Sequence, residues 1–266
     1  MIALGGEALV LTHDTMVEGV HYLAGQDPAD VAWKLVACNM SDLAAKGAEP
    51  LGVLLGYMFG RDDARFLEGL AEALAHFGAP LLGGDTVSGG SAQVLGLTAI
   101  GRATCTAPPS RAGARASDAL WITGPVGAAM IGCEALVSGN ADPALTQAYR
   151  RPEALLAQGR ALAPHVSAMM DVSDGVLLDA ARMARASGVT FAIESANVPL
   201  AAPEHRRADA LRWGDDYQLL FAARADAVLP SGCGTRIGVA VAQGRAPLLL
   251  DGVPLGEADG LGYEHR

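Results

Sequence analysis

The sequence predicts an α/β or α+β protein of two small domains, and three observations carry this prediction. Short apolar runs that suit β-strands alternate with segments of helical period along the chain. A stretch rich in Pro, Ala and Gly interrupts the alternation and shows no periodicity. At 266 residues the chain is long enough for two domains of ordinary size. We therefore predict domains at 1–106 and 118–266, joined by a linker at 107–117.

The first domain begins with an apolar run and continues with two helical segments set between strands. The strand-like runs are EALVLTHD, LGVLLGYM, APLLGGD and QVLGLTAIG, at 7–14, 51–58, 79–85 and 93–101. The helical segments lie at 27–47 and 62–78. Asp27 followed by Pro28 is typical of an N-cap and first helical position, and Gly47 and Gly78 stand where helices should end.

The second domain repeats this alternation without an obvious sequence repeat. Strand-like runs are ALWIT, SAMMD, VTFAIE, YQLLFAA, TRIGVAVA and APLLL, at 119–123, 167–171, 189–194, 217–223, 235–242 and 246–250. Helices are predicted near 127–138, near 153–163 and over 174–188.

Composition excludes several classes of protein. Hydrophobic residues make up 51% of the chain and charged residues 18%, which excludes a disordered chain. The longest apolar runs are too short and too often broken by Gly to span a bilayer. The net charge of −10 repels a phosphate backbone, so nucleic acid is not expected as a partner. The same excess of carboxylates favours a site for hard cations.

The N-terminus and the cysteines predict a cytoplasmic protein. Met1 is followed by IALGGEALV, without the basic region of a signal peptide. The four cysteines contain no CxxC spacing, so neither a zinc site nor a disulfide framework is indicated. We expect buried free thiols in a reducing compartment.

The motifs that carry chemistry are aspartates rather than a known nucleotide loop. Neither lysine lies in a GK[ST] context and no GxGxxG follows a strand, so a P-loop and a dinucleotide fold are not expected. Asp14, Asp85 and Asp171 each end a predicted strand, and Asp174 follows closely. Strand ends share one edge of a sheet, so these carboxylates are expected to meet and bind Mg²⁺. An aspartate after a strand is also an ordinary turn residue or N-cap, and Asp174 suits that role best.

Asp42 is harder to assign to a structural role. With Val31, Leu35 and Cys38 it follows the spacing of the apolar face of the first helix. A charge on a face directed to the core is costly unless it is paired or bound to metal.

Other candidate residues have weaker local signals. His21 is either a structural hydrogen-bonding residue or a substrate contact. The Gly83–Gly84 pair permits close approach of a phosphate. Arg111 either binds an anion or is simply solvated, and Tyr263 either stacks on a heterocycle or fixes the C-terminal tail.

Several strings in order resemble the thiamine-monophosphate kinase family. They are THDTMVEGVHY at 12–22, WKLVACNMSDLAAKGAEPLGVLL at 33–55, LLGGDT at 81–86, SRAGA at 110–114, DVSDG at 171–175 and GDDYQLLF at 214–221. This family is part of a superfamily that includes aminoimidazole ribonucleotide synthetase, selenophosphate synthetase and a hydrogenase maturation protein. The resemblance covers nearly the whole chain.

The resemblance implies a two-domain aminoimidazole ribonucleotide synthetase-like fold, in which the N-terminal domain dimerises through its sheet. It implies metal-binding positions at Thr12, His13, Asp14, Asp42, Asp85, Asp171 and Asp174. It implies ATP contacts at Gly84, Asp85, Arg111 and Ser173, and thiamine-phosphate contacts at His21, Asp215 and Tyr263. ATP and magnesium ions are expected in the cleft that Asp42 faces.

The chain also departs from the family pattern. Family members begin with a longer segment that ends in a GDDAAV-type string, and this segment is expected to be missing here. His13 replaces a threonine, Asp215 a glutamate and Trp213 a glycine. A GD pair of the family is replaced around Val126–Gly127, and a RPTPR-type run reads RPEAL at 151–155.

The reaction implied is Mg²⁺-assisted, in-line transfer of the γ-phosphoryl group of ATP to thiamine monophosphate. No side chain acts as a catalytic base in this prediction, because the acceptor phosphate is already mostly a dianion at neutral pH. Two alternatives remain open. One is another ATP-dependent synthetase of the superfamily, acting on a purine precursor. The other is a non-catalytic remnant that binds a nucleotide or thiamine phosphate.

Overall fold

Two mixed β-sheets with helices packed on them make up the computed structural model, which describes residues 2–4 and 6–264. The first sheet has the strand order β1-β2-β5-β3-β4. Its strands are β1 (Ile2–Leu4), β2 (Glu7–Val17), β3 (Ala48–Met58), β4 (Leu81–Val87) and β5 (Val94–Ala103). Strands β3 and β4 run parallel, and the other neighbouring pairs run antiparallel.

Helices α1 (Pro28–Ala44) and α2 (Asp63–Phe77) belong to the first sheet, as predicted. The Asp27 carboxylate accepts the Ala29 N–H at 3.0 Å, which caps α1 in front of Pro28. Gly78 ends α2 with φ of 65°, in the left-handed region that favours glycine. Helix α1 lies on β2 and β5, and its Leu35 and Met40 are fully buried there.

The second sheet has seven strands in the order β12-β11-β8-β10-β6-β9-β7. They are β6 (Ala119–Ile122), β7 (Ala168–Asp171), β8 (Val189–Ile193), β9 (Leu219–Ala223), β10 (Thr235–Ala242), β11 (Leu248–Leu250) and β12 (Val253–Leu255). The helices in this half of the chain are α3 (Ala128–Val137), α4 (Pro143–Arg150), α5 (Leu156–Leu162), α6 (Val176–Ser187) and α7 (Arg207–Ala210), of which α4 and α5 contact α1. Two sheets with separate cores confirm the two-domain α/β class, while the exact boundary at 107–117 stays a prediction.

Three local predictions were wrong. Asp14 and Asp85 lie inside β2 and β4 rather than at their ends, since β2 pairs with β5 as far as Val17 and β4 with β3 as far as Val87. Asp174 is not the N-cap of α6, because Gly175 holds that position. The helix predicted near 153–163 begins later, at Leu156.

Helix α4, which the sequence analysis did not predict, is tied to α1 by a buried carboxylate. Asp30 is 2% exposed, and it accepts hydrogen bonds from Arg150 at 2.6 Å and from Arg151 at 2.5 Å. Burial of Asp30 is tolerable because both of its oxygens are paired with guanidinium groups. This contact brings Tyr149, at the end of α4, towards α1.

Two further predictions concern membrane-spanning segments and the cysteine thiols. Among the described residues, no helix combines the length and the apolar character that crossing a bilayer requires. The four cysteines are free, as predicted, but each is partly exposed rather than buried.

Candidate functional site

A cavity of about 640 Å³ lies between β2, α1 and segments 171–174, 212–217 and 262–263. Nine of the residues predicted for the site line it: His13, Asp14, His21, Asp42, Asp171, Ser173, Asp174, Asp215 and Tyr263. The fold therefore brings together positions that are far apart in the sequence. The cavity is bounded by elements of both sheets.

Helix α1 supplies one wall of the cavity. Lys34, Cys38 and Asp42 line it at a spacing of four residues, which keeps them near one face of the helix. The Asp42 carboxylate accepts a hydrogen bond from the Thr12 hydroxyl on β2. Ser41, next to it, donates to Asp171 at 2.7 Å and so joins α1 to the end of β7.

The carboxylates at this end of the cavity are crowded. Burial, with the charges of Asp42 and Asp174, raises the pKa of Asp14 to about 6. Burial, with the charge of Asp42, raises the pKa of Asp171 to about 8. Across residues 2–4 and 6–264, no three His, Cys, Asp or Glu side chains are arranged as a ready-made metal site. The raised pKa values of Asp14 and Asp171 show that each carboxylate lies within reach of the charge of Asp42.

Positive charge lies beside this carboxylate cluster of Asp14, Asp42 and Asp171. Lys46 donates to the Pro109 carbonyl at 3.3 Å. Burial, and then the neighbouring Arg111 guanidinium, lower the pKa of Lys46, while Asp42 and Asp171 act in the opposite direction. Lys46 and Arg111 carry like charges that repel each other, and a phosphate group bound between them would relieve this repulsion.

Ser173 and Asp174 belong to a turn that a buried carboxylate organises. Asp179, in α6, accepts their backbone N–H groups at 3.0 and 2.9 Å. The Asp174 carboxylate pairs with Arg182. The Tyr263 N–H donates to the Asp174 carbonyl at 3.0 Å, which fixes the C-terminal segment at the cavity.

At the other end of the cavity, the structure adds residues that the sequence analysis missed. Lys34 pairs with Asp215 at 2.8 Å and is 1% exposed. The Tyr217 hydroxyl donates to the other oxygen of Asp215 at 3.0 Å, and it lies 2.8 Å from the Cys38 sulfur. Tyr149 from α4 completes this polar and aromatic end of the cavity.

His21 belongs to the same end. Its Nδ1 accepts the Val17 N–H at 3.0 Å, which fixes the ring within the turn that follows β2. Its carbonyl oxygen accepts from the Lys34 ammonium at 3.0 Å. The backbone and the ring of His21 are therefore both held by nearby groups.

Some predicted site residues lie outside the cavity, and His13, which borders it, holds its ring on the other face of the sheet. The ring of His13 hydrogen-bonds to Thr98 at 2.9 Å and Thr15 at 3.2 Å on the sheet face opposite α1. Gly84, Asp85 and Arg111 do not line the cavity. A Cβ at Gly84 would lie 2.0 Å from the Leu55 carbonyl oxygen, so close pairing of β3 and β4 requires glycine there. Their assignment to metal or ATP stays a prediction.

Asp216, next to Asp215, has a structural role that gives a pH prediction. It accepts the Gly127 N–H at 2.9 and 3.0 Å at the start of α3, and burial raises its pKa from 3.8 to about 7. The folded chain therefore binds more protons than the unfolded chain between these values, so stability falls as the pH rises through that window. As the pH rises from about 4 to 8, the unfolding free energy of the parent should fall by roughly 2–4 kcal/mol more than that of Asp216→Asn, which has no carboxyl group to titrate at this position.

Urea unfolding of both proteins at several pH values measures this difference. Any cost of the amide in the hydrogen bonds to α3 is present at every pH and does not change the slope. Equal slopes for the two proteins would contradict the prediction.

The comparisons with known proteins agree with this architecture. Residues 1–103 match the AIR synthase related protein N-terminal domain, and residues 115–246 match the AIR synthase related protein C-terminal domain. A thiamine-monophosphate kinase of Caulobacter vibrioides is 38% identical over 82% of this chain and 67% of that protein. The crystal structure of a thiamine monophosphate kinase from Aquifex aeolicus superposes with a TM-score of 0.85.

The sequence of that crystal structure is 28% identical to this one, and the superposition includes 96% of this chain and 92% of the other. A structure of AaThiL complexed with AMPPCP and TMP also gives a TM-score of 0.85, at 27% identity, over 96% of this chain and 87% of that one. The resemblance in sequence thus extends through both domains and both sheets. The chain belongs to the AIR synthase related family and, within it, to the thiamine-monophosphate kinases.

Proposed function

We propose that this chain transfers the γ-phosphoryl group of ATP to the phosphate of thiamine monophosphate, giving thiamine diphosphate and ADP. The observation that carries the proposal is a single cavity with two chemically different ends. One end holds the carboxylate cluster, and the other holds the polar and aromatic residues around Lys34. The relative complexed with AMPPCP and TMP supports the same pair of substrates.

Magnesium fits the carboxylate end. Asp14 and Asp171 have raised pKa values because they are buried near Asp42, and a divalent cation would relieve this crowding. Mg²⁺ needs only one or two protein carboxylates, since water and substrate phosphates complete its coordination. We infer that Asp42, with Asp14 or Asp171, would hold this ion, which when bound would supply charge neutralisation for two polyanions. Thr12 and Ser41 orient these carboxylates through their hydroxyl groups.

The chain does not need a general base for this reaction. The acceptor phosphate has its second pKa near 6 and is mostly a dianion at pH 7, so it is already a nucleophile. The work of the protein is to hold the two phosphate groups in line and to limit their repulsion. In this proposal Lys46, Arg111 and Ser173 support the phosphates of ATP, while His21, Asp215 and Tyr263 contact thiamine monophosphate.

The direct test is incubation of the full chain with ATP, Mg²⁺ and thiamine monophosphate. Formation of thiamine diphosphate and ADP in equal amounts supports the proposal. Binding of both substrates without ADP release indicates a non-catalytic remnant. ADP release that requires a purine precursor instead of thiamine monophosphate indicates another synthetase of the superfamily.

We also propose that the chain forms a homodimer through the first sheet and acts in the cytoplasm. Helices cover one face of this sheet, and the opposite face exposes Leu11 and Leu54, at 42% and 41%. Exposed apolar residues that cluster on a sheet favour association. Free thiols and the use of ATP support a reducing, cytoplasmic location.

A charge on this face tests the homodimer. We expect Leu54→Arg to convert a dimer into a folded monomer, because each interface would bury two unpaired guanidinium groups. Sedimentation velocity measures the mass. Leu67→Arg, on the exposed side of α2 with 55% exposure, is the matched control and leaves the dimer intact. A parent protein that sediments as a monomer would contradict the proposal.

A further inference from the structure

Lys34 is a buried cation in a helix that does not need one for its own stability. Its side chain is 1% exposed, and most of the buried residues of α1 are apolar, among them Leu35 and Met40. Removing an ammonium group from water costs several kcal/mol, and pairing with a carboxylate often does no more than offset that cost. A buried ion pair is therefore weak evidence for a purely stabilising role. The partners of Lys34 indicate what else it does.

Lys34 joins two segments that belong to different parts of the cavity. Its Nζ donates to the His21 carbonyl at 3.0 Å, in the turn after β2, and to Asp215 at 2.8 Å, 181 residues further along the chain. The Nζ also lies 4.1 Å from the centre of the Tyr149 ring. All three partner residues line the cavity. The ammonium thus fixes the separation between the His21 turn and the Asp215 segment.

The Asp215 segment is held in a backbone conformation that costs energy. Asp215 and Tyr217 have φ of 64° and 49°, in the left-handed region that residues other than glycine seldom adopt, a bulky residue such as Tyr least of all. The Asp215 and Tyr217 N–H groups donate to the carbonyls of residues 173 and 172, both at 2.9 Å, and hold the backbone. Lys34 and the Tyr217 hydroxyl hold the two oxygens of the Asp215 carboxylate. Without the ammonium, one of the two contacts that fix the carboxylate is lost.

We propose that Lys34 is a positioning residue for thiamine monophosphate, which holds His21 and Asp215 as one recognition surface for the organic part of the substrate. This inference rests on the proposed function. Lys34 and the Tyr217 hydroxyl each hold one oxygen of Asp215, so the carboxylate presents its remaining lone pairs to a hydrogen-bond donor such as the aminopyrimidine of thiamine. Lys34 does not act on the phosphates, which lie at the Asp42 end.

The test measures binding to the full chain without turnover. We expect Lys34→Met to weaken the affinity for thiamine monophosphate roughly ten- to hundredfold, the equivalent of losing hydrogen bonds to a charged group. The affinity for the non-hydrolysable ATP analogue AMPPCP should change by less than about twofold, because the nucleotide lies at the other end. Isothermal titration calorimetry gives both constants.

Two further variants separate positioning from stability. Lys34→Met/Asp215→Asn removes both charges, so it should recover thermal stability relative to Lys34→Met while the affinity for thiamine monophosphate stays low. Arg65→Met breaks the exposed pair between Arg65 and Asp27 at 3.0 Å and should leave both affinities unchanged.

The outcomes distinguish this proposal from the proposed function. A parent chain that binds thiamine monophosphate but forms no thiamine diphosphate overturns the proposed function. The measured affinities of the Lys34→Met variant then still decide whether Lys34 positions the substrate. Unchanged affinity for thiamine monophosphate in Lys34→Met overturns the positioning role. Equal loss of affinity for both ligands, or a double variant that regains substrate affinity along with stability, also overturns it.

Discussion

Asp42→Asn is expected to lower kcat roughly 10²- to 10³-fold at saturating substrates. Asp42 is the carboxylate whose charge reaches both Asp14 and Asp171, and we assign it as a magnesium ligand. A bound metal contributes several kcal/mol of charge stabilisation in the transition state, and each 1.4 kcal/mol corresponds to a factor of ten in rate. The amide keeps the size of the side chain and can still accept from Thr12, so the fold should persist.

Steady-state assays at increasing Mg²⁺ measure this effect. Glu68→Gln, which removes an exposed carboxylate of α2, is the matched control and should keep the parent rate. If Asp42→Asn turned over at nearly the parent rate in saturating Mg²⁺, the assignment of Asp42 as a metal ligand would be wrong.

The second large effect is expected from Gly214→Ala. A Cβ at this position would lie 2.1 Å from the carbonyl oxygen of Ser173, so the backbone on one side must move. Gly214 precedes Asp215 and lies against the 171–174 turn, so the change should displace both ends of the cavity. We expect kcat/KM to fall roughly 10²-fold, as for a displacement of about 1 Å, and the unfolding free energy to fall by about 1–3 kcal/mol.

Gly90→Ala is the control for this substitution, because no atom lies within 4 Å of an added Cβ there. It should change neither the rate nor the unfolding midpoint in urea. A fully active and stable Gly214→Ala would show that the contact with Ser173 does not shape the cavity.

The sequence predicts the elements whose signals are local. Asp27 and Pro28 mark the start of α1, Gly78 marks the end of α2, and both lie where they were expected. Helix α4 has the same Asp–Pro start signal, at Asp142 and Pro143, but it is only eight residues long and follows a Gly- and Asn-containing stretch. A short helix has a weak period of its own and depends on tertiary contacts, here with Asp30.

In the candidate site, too, the features with a local signal could be predicted and those that depend on tertiary contacts could not. The position of Asp42 on the apolar face of α1 could be predicted, because the helical period determines which residues share a face. The pairing of Lys34 with Asp215 could not, because it depends on how two domains meet across 181 residues. The available signal was that Lys34, one of only two lysines, lies between Trp33 and Leu35 in a core helix. A charge in such a place indicates a buried partner.

The length of helix α1 between two of its residues bears on which substrates the cavity accepts. Lys34 and Asp42 are eight residues apart on a rigid helix, which sets about 12 Å along its axis between the two chemically different ends of the cavity. The helix acts as a ruler for the distance from the heterocycle to the phosphate. A thiamine analogue with a longer or shorter chain to its phosphate would place that group out of line with ATP even when its ring is bound correctly. Helix α1 thereby makes the cavity selective for the length of the substrate, and no side chain has to contact the linking part of the substrate for this purpose.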